Sequence, residues 1–134
     1  MLRFRLLVAL SFLFSSIVFG YSFYCGIFSV VTEKYTHLMR DKSDIQFIIL
    51  MNLLQFALGF AIAQGYLYVR EFRKISPYAF CFALFLITRF FGELICYSLF
   101  PYGFDMVCIG ICSGLCSFLI TALVIDLLTK KLLK

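Results

Sequence analysis

Two ionisable residues, Arg89 and Glu93, lie one helical turn apart inside a long apolar stretch of this chain. A charge near the centre of a bilayer-spanning helix costs about 2.5–3.5 kcal/mol on insertion scales, so it normally faces protein or water and has a partner. At i,i+4 spacing the two side chains share one helix face and can neutralise each other. The pair is therefore the first candidate for chemistry.

A second polar pair, Asn52 and Gln55, lies in the preceding apolar stretch. If the two stretches are antiparallel helices, this pair and the first lie at matching depths. The same depth on the flanking helices is reached by a further set: Tyr21, Ser22, Cys112, Ser113 and Cys116. Three interpretations stay open: a hydrogen-bonded network that fixes helix order, a ligand, ion or proton site, and a pair with a partner subunit.

The six cysteines all lie inside or at the edge of apolar stretches, where Cys behaves as a small hydrophobe. No C-x-x-C pair is present, which argues against a thioredoxin-type redox site or a zinc knuckle. Cys108, Cys112 and Cys116 recur every fourth residue and could bind a soft metal, but we expect them to be packing residues. His37 is the single histidine. We predict neither a metal site nor a cofactor.

The composition excludes several function classes. Of the 134 residues, 63% are hydrophobic and 14% are charged, which leaves too little polar surface for a lone soluble domain. The net charge of +5 comes from basic residues at the ends of apolar stretches, so we predict no nucleic-acid partner. Because no nucleophile–base pair or metal set can be assembled, we expect no enzymatic activity.

Four apolar stretches predict an all-α fold, a transmembrane up-down four-helix bundle that forms a single domain over residues 1–134. The predicted helices cover about 5–28, 45–68, 77–100 and 105–128. Ser43 with Gln46 matches a capping box for the second helix. Ser76 followed by Pro77 is a typical cap and first-turn pair for the third.

The first apolar stretch could be mistaken for a secretory signal, because Arg3 and Arg5 precede it and Gly20 supplies a small residue. It continues to Val31, however, which is long enough to span about 30 Å of hydrocarbon. We therefore expect a retained first helix.

The distribution of basic residues predicts the topology. Eight Lys and Arg residues lie in the N-terminal segment, the second loop and the C-terminal tail, whereas three lie in the first loop. The positive-inside rule places the richer side in the cytoplasm. We expect both termini there, in a bacterial inner membrane.

Small residues recur at spacings that permit close helix contacts. Gly110 and Gly114 form a G-x-x-x-G in the fourth helix, and Ser16 with Gly20 is a weaker version in the first. In the second helix the repeat consists of Ala57, Ala61 and Gly65. These faces can serve contacts within one chain or between chains.

The segment from Met39-Arg40-Asp41 through Asp44 to Asn52-Leu53-Leu54 resembles one found in small bacterial four-helix membrane proteins of unknown function. In those proteins an M-R-D turn leads into a second helix that carries an Asn. The resemblance covers the middle fifth of the chain. It implies four helices and a bacterial inner membrane, and it brings no activity with it.

These observations lead to one functional expectation and two alternatives. We expect a non-enzymatic membrane protein that acts as an accessory or assembly subunit or as a self-associating module, with the lipid bilayer and other membrane subunits as partners. The first alternative is a small transporter or channel whose site includes Arg89 and Glu93, with Asn52 and Gln55 nearby. The second is an enzyme acting on lipid or quinone.

Overall fold

A computed structural model describes residues 1–38, 44–101 and 103–133 of the chain. About 90% of the structure is helical, and the described residues contain no strand. The four long apolar helices are α1 (Leu2–Ile27), α2 (Ile45–Phe72), α3 (Pro77–Leu99) and α4 (Phe104–Leu132). The predicted all-helical fold with four long apolar helices is confirmed. The observed α1 begins three residues earlier than predicted, and α2 and α4 each end four residues later.

All four helices are long enough to cross a bilayer. The shortest, α3, has 23 residues, and at 1.5 Å per residue it extends about 34 Å, against a hydrocarbon core of about 30 Å. Two helices contain a π-helical segment, at Ser22–Ile27 in α1 and at Leu86–Phe90 in α3. The remainder of each long helix is α-helical.

Polar side chains define the beginnings of α2 and α3. The Asp44 carboxylate accepts hydrogen bonds from the backbone N–H groups of Gln46 and Phe47, at 3.1 and 3.3 Å. Ser43, which the sequence suggested as the cap of α2, lies outside the described residues, and the observed cap is Asp44. For α3 the prediction is confirmed: the Ser76 hydroxyl accepts from the Ala79 N–H at 3.2 Å, and proline is the first helical residue.

The connection after α1 is partly folded. A short helix, Ser29–Glu33, and a 3₁₀ turn, Thr36–Leu38, follow α1 directly. Tyr35, between them, donates a hydrogen bond from its hydroxyl to a carboxylate oxygen of Asp105 at 3.2 Å, which ties the connection to the start of α4. Partial burial and the negative charge of Asp105 raise the pKa of Tyr35 above its usual value.

The four long helices do not all pack against one another to the same extent. Helices α1 and α4 pack together at the centre, α2 packs on α1, and α3 packs on α4. Helix α4 is the most buried of the four. Half of the residues in its most apolar 18-residue segment are buried, against 11% in the corresponding segments of α2 and α3. The main contact between α2 and α3 lies near the loop that joins them, where the Tyr66 and Phe80 rings meet with centroids 5.6 Å apart. Farther from that loop, the two helices leave an opening.

Helices α1 and α2 approach each other closely at Gly59. A Cβ built there would lie 2.9 Å from the Ala9 Cα, which is closer than real side chains come, so only glycine fits without a shift of the backbone. Ala57 and Ala61 are exposed, so this small-residue face of α2 does not serve the contact with α1, and its use between chains stays a prediction. The reason is that α1 lies against a different face of α2, the one that carries Gly59 and Ala63.

A hydrophobic core fills the half of the molecule that contains the chain termini and the loop between α2 and α3. Its aromatic centre is Phe118, whose ring meets Phe12 edge-on at a centroid distance of 5.3 Å and Phe85 at 6.0 Å. The fully packed members are Phe4, Val8, Phe12, Ile62, Ala63, Tyr66, Leu67, Cys81, Phe85, Phe118, Ala122 and Ile125. This half of the bundle is therefore closed.

The six cysteines are all free, and they differ in burial. Cys81 belongs to the core, whereas Cys108 and Cys112 are exposed on the surface of α4. Cys108 and Cys112 of the stripe predicted to pack therefore lie outside the packed face of this chain, whereas Cys116 is half-buried. The buried face of α4 instead includes the small or hydroxyl-bearing residues Gly110, Ser113, Gly114, Ser117 and Thr121.

Candidate functional site

A cavity of about 330 Å³ occupies the half of the bundle that the core leaves open. All four long helices contribute to its wall. Its polar lining residues are Ser16, Tyr24, Gln55, Thr88, Arg89, Ser113 and Ser117. Its other lining residues are Phe12, Gly20, Met51, Leu58, Gly114 and Phe118. The four long apolar helices thus enclose a partly polar space.

Both π-helical segments contribute to this cavity. Tyr24 lies in the segment of α1, and Thr88 and Arg89 lie in the segment of α3. The Thr88 hydroxyl donates to the Leu84 carbonyl oxygen at 2.7 Å. A π turn adds one residue to the repeat and changes the direction of the following side chains, and such turns are frequent at functional sites. In this molecule the π turn of α3 carries the cationic group of the cavity.

Arg89 and Glu93 come together as the sequence suggested. The Arg89 Nε lies 3.8 Å from the Glu93 Oε1, and the two side chains are 38% and 20% exposed. This separation is an ion pair but exceeds hydrogen-bond distance. Within the described part of the chain, the guanidinium donates no hydrogen bond to any group. Several of its five donors therefore remain available in the cavity.

The G-x-x-x-G of α4 seats this ion pair. A Cβ built on Gly110 would lie 2.5 and 2.7 Å from the two carboxylate oxygens of Glu93. A Cβ on Gly114 would overlap the Arg89 side chain and would lie 3.0 Å from its Nε. The sequence predicted a close helix contact at these glycines. Each instead leaves the space of one missing side chain, which a charged residue of α3 occupies.

The second polar pair is divided by the structure. Gln55 lines the cavity together with Arg89, whereas Asn52 is half-buried and does not line it. Neither amide forms a hydrogen bond within the part of the chain that the structure describes. Because α2 stands apart from α3 at this level, the four residues Arg89, Glu93, Asn52 and Gln55 do not form a closed hydrogen-bonded network.

Sequence reasoning missed several cavity residues. Ser113 was expected at this depth, but Tyr21, Ser22, Cys112 and Cys116 do not line the cavity. Four polar residues line the cavity although they were not predicted from the sequence to lie at this depth: Ser16, Tyr24, Thr88 and Ser117. A signal for the wall of α4 was present, because Ser113, Ser117 and Thr121 recur every fourth residue. Two of them donate along the helix, Ser117 to the Ser113 carbonyl at 3.1 Å and Thr121 to the Ser117 carbonyl at 2.8 Å.

The cavity ends at the aromatic centre of the core, because Phe12 and Phe118 belong to both. Its available groups are a guanidinium, an amide and hydroxyls, which can bind a small polar or anionic ligand. Among the residues with described positions, no three His, Cys, Asp or Glu side chains come together to hold a metal. No protein-family model, no curated protein and no solved structure matches this chain.

Proposed function

We propose that this chain is an integral membrane protein that crosses the bilayer four times in alternating directions and binds a small polar ligand in the Arg89 cavity. The observation that carries the proposal is an arginine that faces an internal cavity and makes no hydrogen bond within the described chain. Its ion pair with Glu93, at 3.8 Å, leaves guanidinium donors free for a ligand. A small transporter would also have to bind its substrate in such a site, so ligand binding is common to both functions.

The placement in a membrane is supported by the surface. Large apolar side chains such as Phe14, Ile49, Leu53, Ile87 and Leu119 are exposed along all four helices. A soluble monomer rarely exposes apolar patches beyond a few hundred Å², whereas lipid solvates them. The positive-inside rule favours an orientation with both termini in the cytoplasm, and in that orientation the cavity would lie in the outer half of a bacterial inner membrane.

Ligand binding accounts for the cavity better than a purely structural network does. A volume of 330 Å³ corresponds to about eleven water molecules at about 30 Å³ each. In a structural network the polar groups would satisfy one another, yet Gln55 and Arg89 have no hydrogen bond within the described residues. Because Phe12 and Phe118 close the inner end, a binding site open on one side fits this geometry better than a continuous channel.

A second candidate function is that of an accessory or self-associating subunit. It is favoured by the opening between α2 and α3, which a helix of another subunit could fill, and by the exposed Cys108 and Cys112 on α4. The molecular mass of the purified protein in detergent distinguishes the two. A monomer with a ligand-accessible cavity supports the binding function, and a stable oligomer whose interface covers the opening supports the second candidate.

The experiment that tests the binding function measures access to the cavity. The background is a variant in which every cysteine except Cys81 is replaced. In this background, the thiol introduced by Ser113→Cys is expected to react with a small charged methanethiosulfonate added from outside the cell. Thr121→Cys is the matched control, because Thr121 lies on the same face of α4 and is buried like Ser113, but does not line the cavity. An unreactive thiol at position 113 would show that the cavity is closed to polar solutes.

A further inference from the structure

An apolar groove adjoins the polar cavity. It has a volume of about 230 Å³ and lies between α2 and α3, where Ala61 and Gly65 face Phe80 and Leu84. Its accessible lining is wholly apolar. Leu58, Thr88 and Phe118 line both the groove and the cavity, so the two spaces adjoin each other at these residues.

The groove exists because α2 and α3 do not pack closely beyond their connecting loop. The small residues Ala61 and Gly65 keep it open, and a Cβ on Gly65 would already lie 3.3 Å from the Phe80 ring. In a bilayer such a groove opens toward the hydrocarbon region, where only apolar groups are stable. A hydrocarbon chain is therefore the occupant that its chemistry accepts.

The junction of the two spaces carries a positive group. Arg89 lies on the cavity side, and Thr88, its neighbour in the π turn, lines both spaces. A guanidinium is planar and matches the paired oxygens of a carboxylate or phosphate. The ion pair joins Nε of Arg89 to Glu93 at 3.8 Å, so the terminal nitrogens of Arg89 can receive a second anion.

From this arrangement we infer that the protein binds a single-chain amphiphile with an anionic head group. The head group lies in the cavity at Arg89 and Gln55, and the hydrocarbon chain lies in the groove between α2 and α3. The inference rests on the proposed function of the cavity and names the class of its ligand. The cavity volume is at the lower end of the range for ligand pockets, about 300–1,000 Å³, and suits a head group alone.

The head group must supply the selectivity. A hydrocarbon chain that moves from the bilayer into an equally apolar groove gains little from the hydrophobic effect, because lipid tails are as apolar as the groove. Hydrogen bonds to a charged partner are the stronger kind. An anionic head group is therefore expected to be preferred over a neutral one that carries the same chain.

The test is equilibrium binding to the purified full chain in a neutral detergent. The probes are dodecanoate and dodecyl phosphate, with dodecanol as the neutral amphiphile and inorganic phosphate as the anion without a chain. We expect at least one anionic amphiphile to bind about tenfold or more tightly than dodecanol, as charge-assisted hydrogen bonds allow. The preference between dodecanoate and dodecyl phosphate identifies the carboxylate or the phosphate as the natural head group.

Two variants separate the roles of cavity and groove. Arg89→Gln is expected to remove the preference for anionic amphiphiles over dodecanol. Ala61→Leu, which fills the groove, should weaken dodecanoate or dodecyl phosphate about tenfold. The matched control is Ala57→Leu, one turn earlier on α2, which is exposed and lines neither space, and should change nothing. With the unaltered chain, a photoreactive dodecanoate should label peptides from α2 and α3, a measurement that needs no variant.

The outcomes distinguish this inference from the proposed function. If inorganic phosphate binds as tightly as dodecyl phosphate and Ala61→Leu has no effect, the cavity binds a polar ligand but the amphiphile is wrong. Equal binding of dodecanol and the anionic probes, or photolabelling outside α2 and α3, would also overturn the inference. If no probe binds and Ser113→Cys is unreactive, both proposals fail.

Discussion

At the scale of single residues, the pairing of Arg89 with Glu93 allows two charged side chains to lie within the apolar helix α3. The i,i+4 spacing brings the groups to 3.8 Å, and both side chains remain partly exposed. Exposed pairs of this spacing contribute about 0.3–0.5 kcal/mol, whereas breaking a buried pair costs about 3–5 kcal/mol. The pair is only partly exposed and lies beside the cavity, so its contribution to stability is expected between these limits.

A double-mutant cycle measures this pairing. Removing either charge alone strands the other, so Arg89→Leu and Glu93→Leu should each lower the thermal stability in detergent. The double variant leaves no unpaired charge and is expected to be more stable than either single variant. The measurement is the melting temperature of all four proteins. Strictly additive losses would show that the two residues do not interact.

The glycines that seat the pair offer a second test at this scale. Gly114→Ala forces a methyl group against the Arg89 stem, close to its backbone, and should destabilise by about 1–3 kcal/mol, as overpacking does. Gly110→Ala meets only the flexible end of Glu93, which can move away, so its cost should be smaller. In a Glu93→Ala background this obstacle is absent, so Gly110→Ala should cost no further stability there, as denaturation of the purified variants can show.

At the scale of elements, contacts between helices depend on which face of each helix meets a neighbour. The sequence contains small residues on several faces of α2, and periodicity does not choose among them. In the structure the backbone of α1 at Ala9 approaches Gly59 rather than Ala57 or Ala61. The small residues Ala61 and Gly65 then line one wall of the groove and do not form a close helix contact.

Gly59→Ala tests this helix contact. The added methyl group would lie 2.9 Å from backbone and Cβ atoms of α1, which cannot rotate away, so we expect a loss of several degrees in melting temperature. Gly92→Ala is the control: no atom lies within 4 Å of its Cβ position, and alanine favours a helix by about 1 kcal/mol over glycine. Equal effects of the two changes would contradict the close approach of α1 and α2.

At the scale of the whole molecule, one half is closed and the other is open. The closed half contains the aromatic centre at Phe12, Phe85 and Phe118, and the open half contains the polar cavity. If the positive-inside rule holds, the closed half faces the cytoplasm. The cavity would then receive its ligand from the outer leaflet or the outer aqueous space.

Reporter fusions test this orientation. Because eight basic residues fall in the N-terminal segment, the second loop and the C-terminal tail, reporters placed after Lys74 and Lys134 should be cytoplasmic, and one near Lys42 should be external. Alkaline phosphatase and a fluorescent protein give opposite readouts for the two sides. A cytoplasmic signal at Lys42 would be incompatible with four alternating spans.

Much of the helical architecture was predictable from local patterns. Runs of apolar residues that exceed the bilayer thickness mark the four helices, and Ser76 with Pro77 marks the start of α3, because these depend on composition and on neighbours within one turn. The i,i+4 relation of Arg89 to Glu93 follows from helix geometry alone. The π turns and the helical connection after α1 were not predictable, since each depends on contacts made across the bundle.

The sequence by itself determined that the chain forms four long apolar helices and that Arg89 and Glu93 share one face of the third. Only the tertiary structure decided what surrounds them. Helix α2 packs on α1 and not along α3, which separates Asn52 from the cavity and opens the groove at Ala61. The face that α4 turns to its neighbours leaves Cys108 and Cys112 exposed. The physical reason is that apolar residues cover every face of these helices, so hydrophobicity does not select the packed face; steric fit at the glycines does.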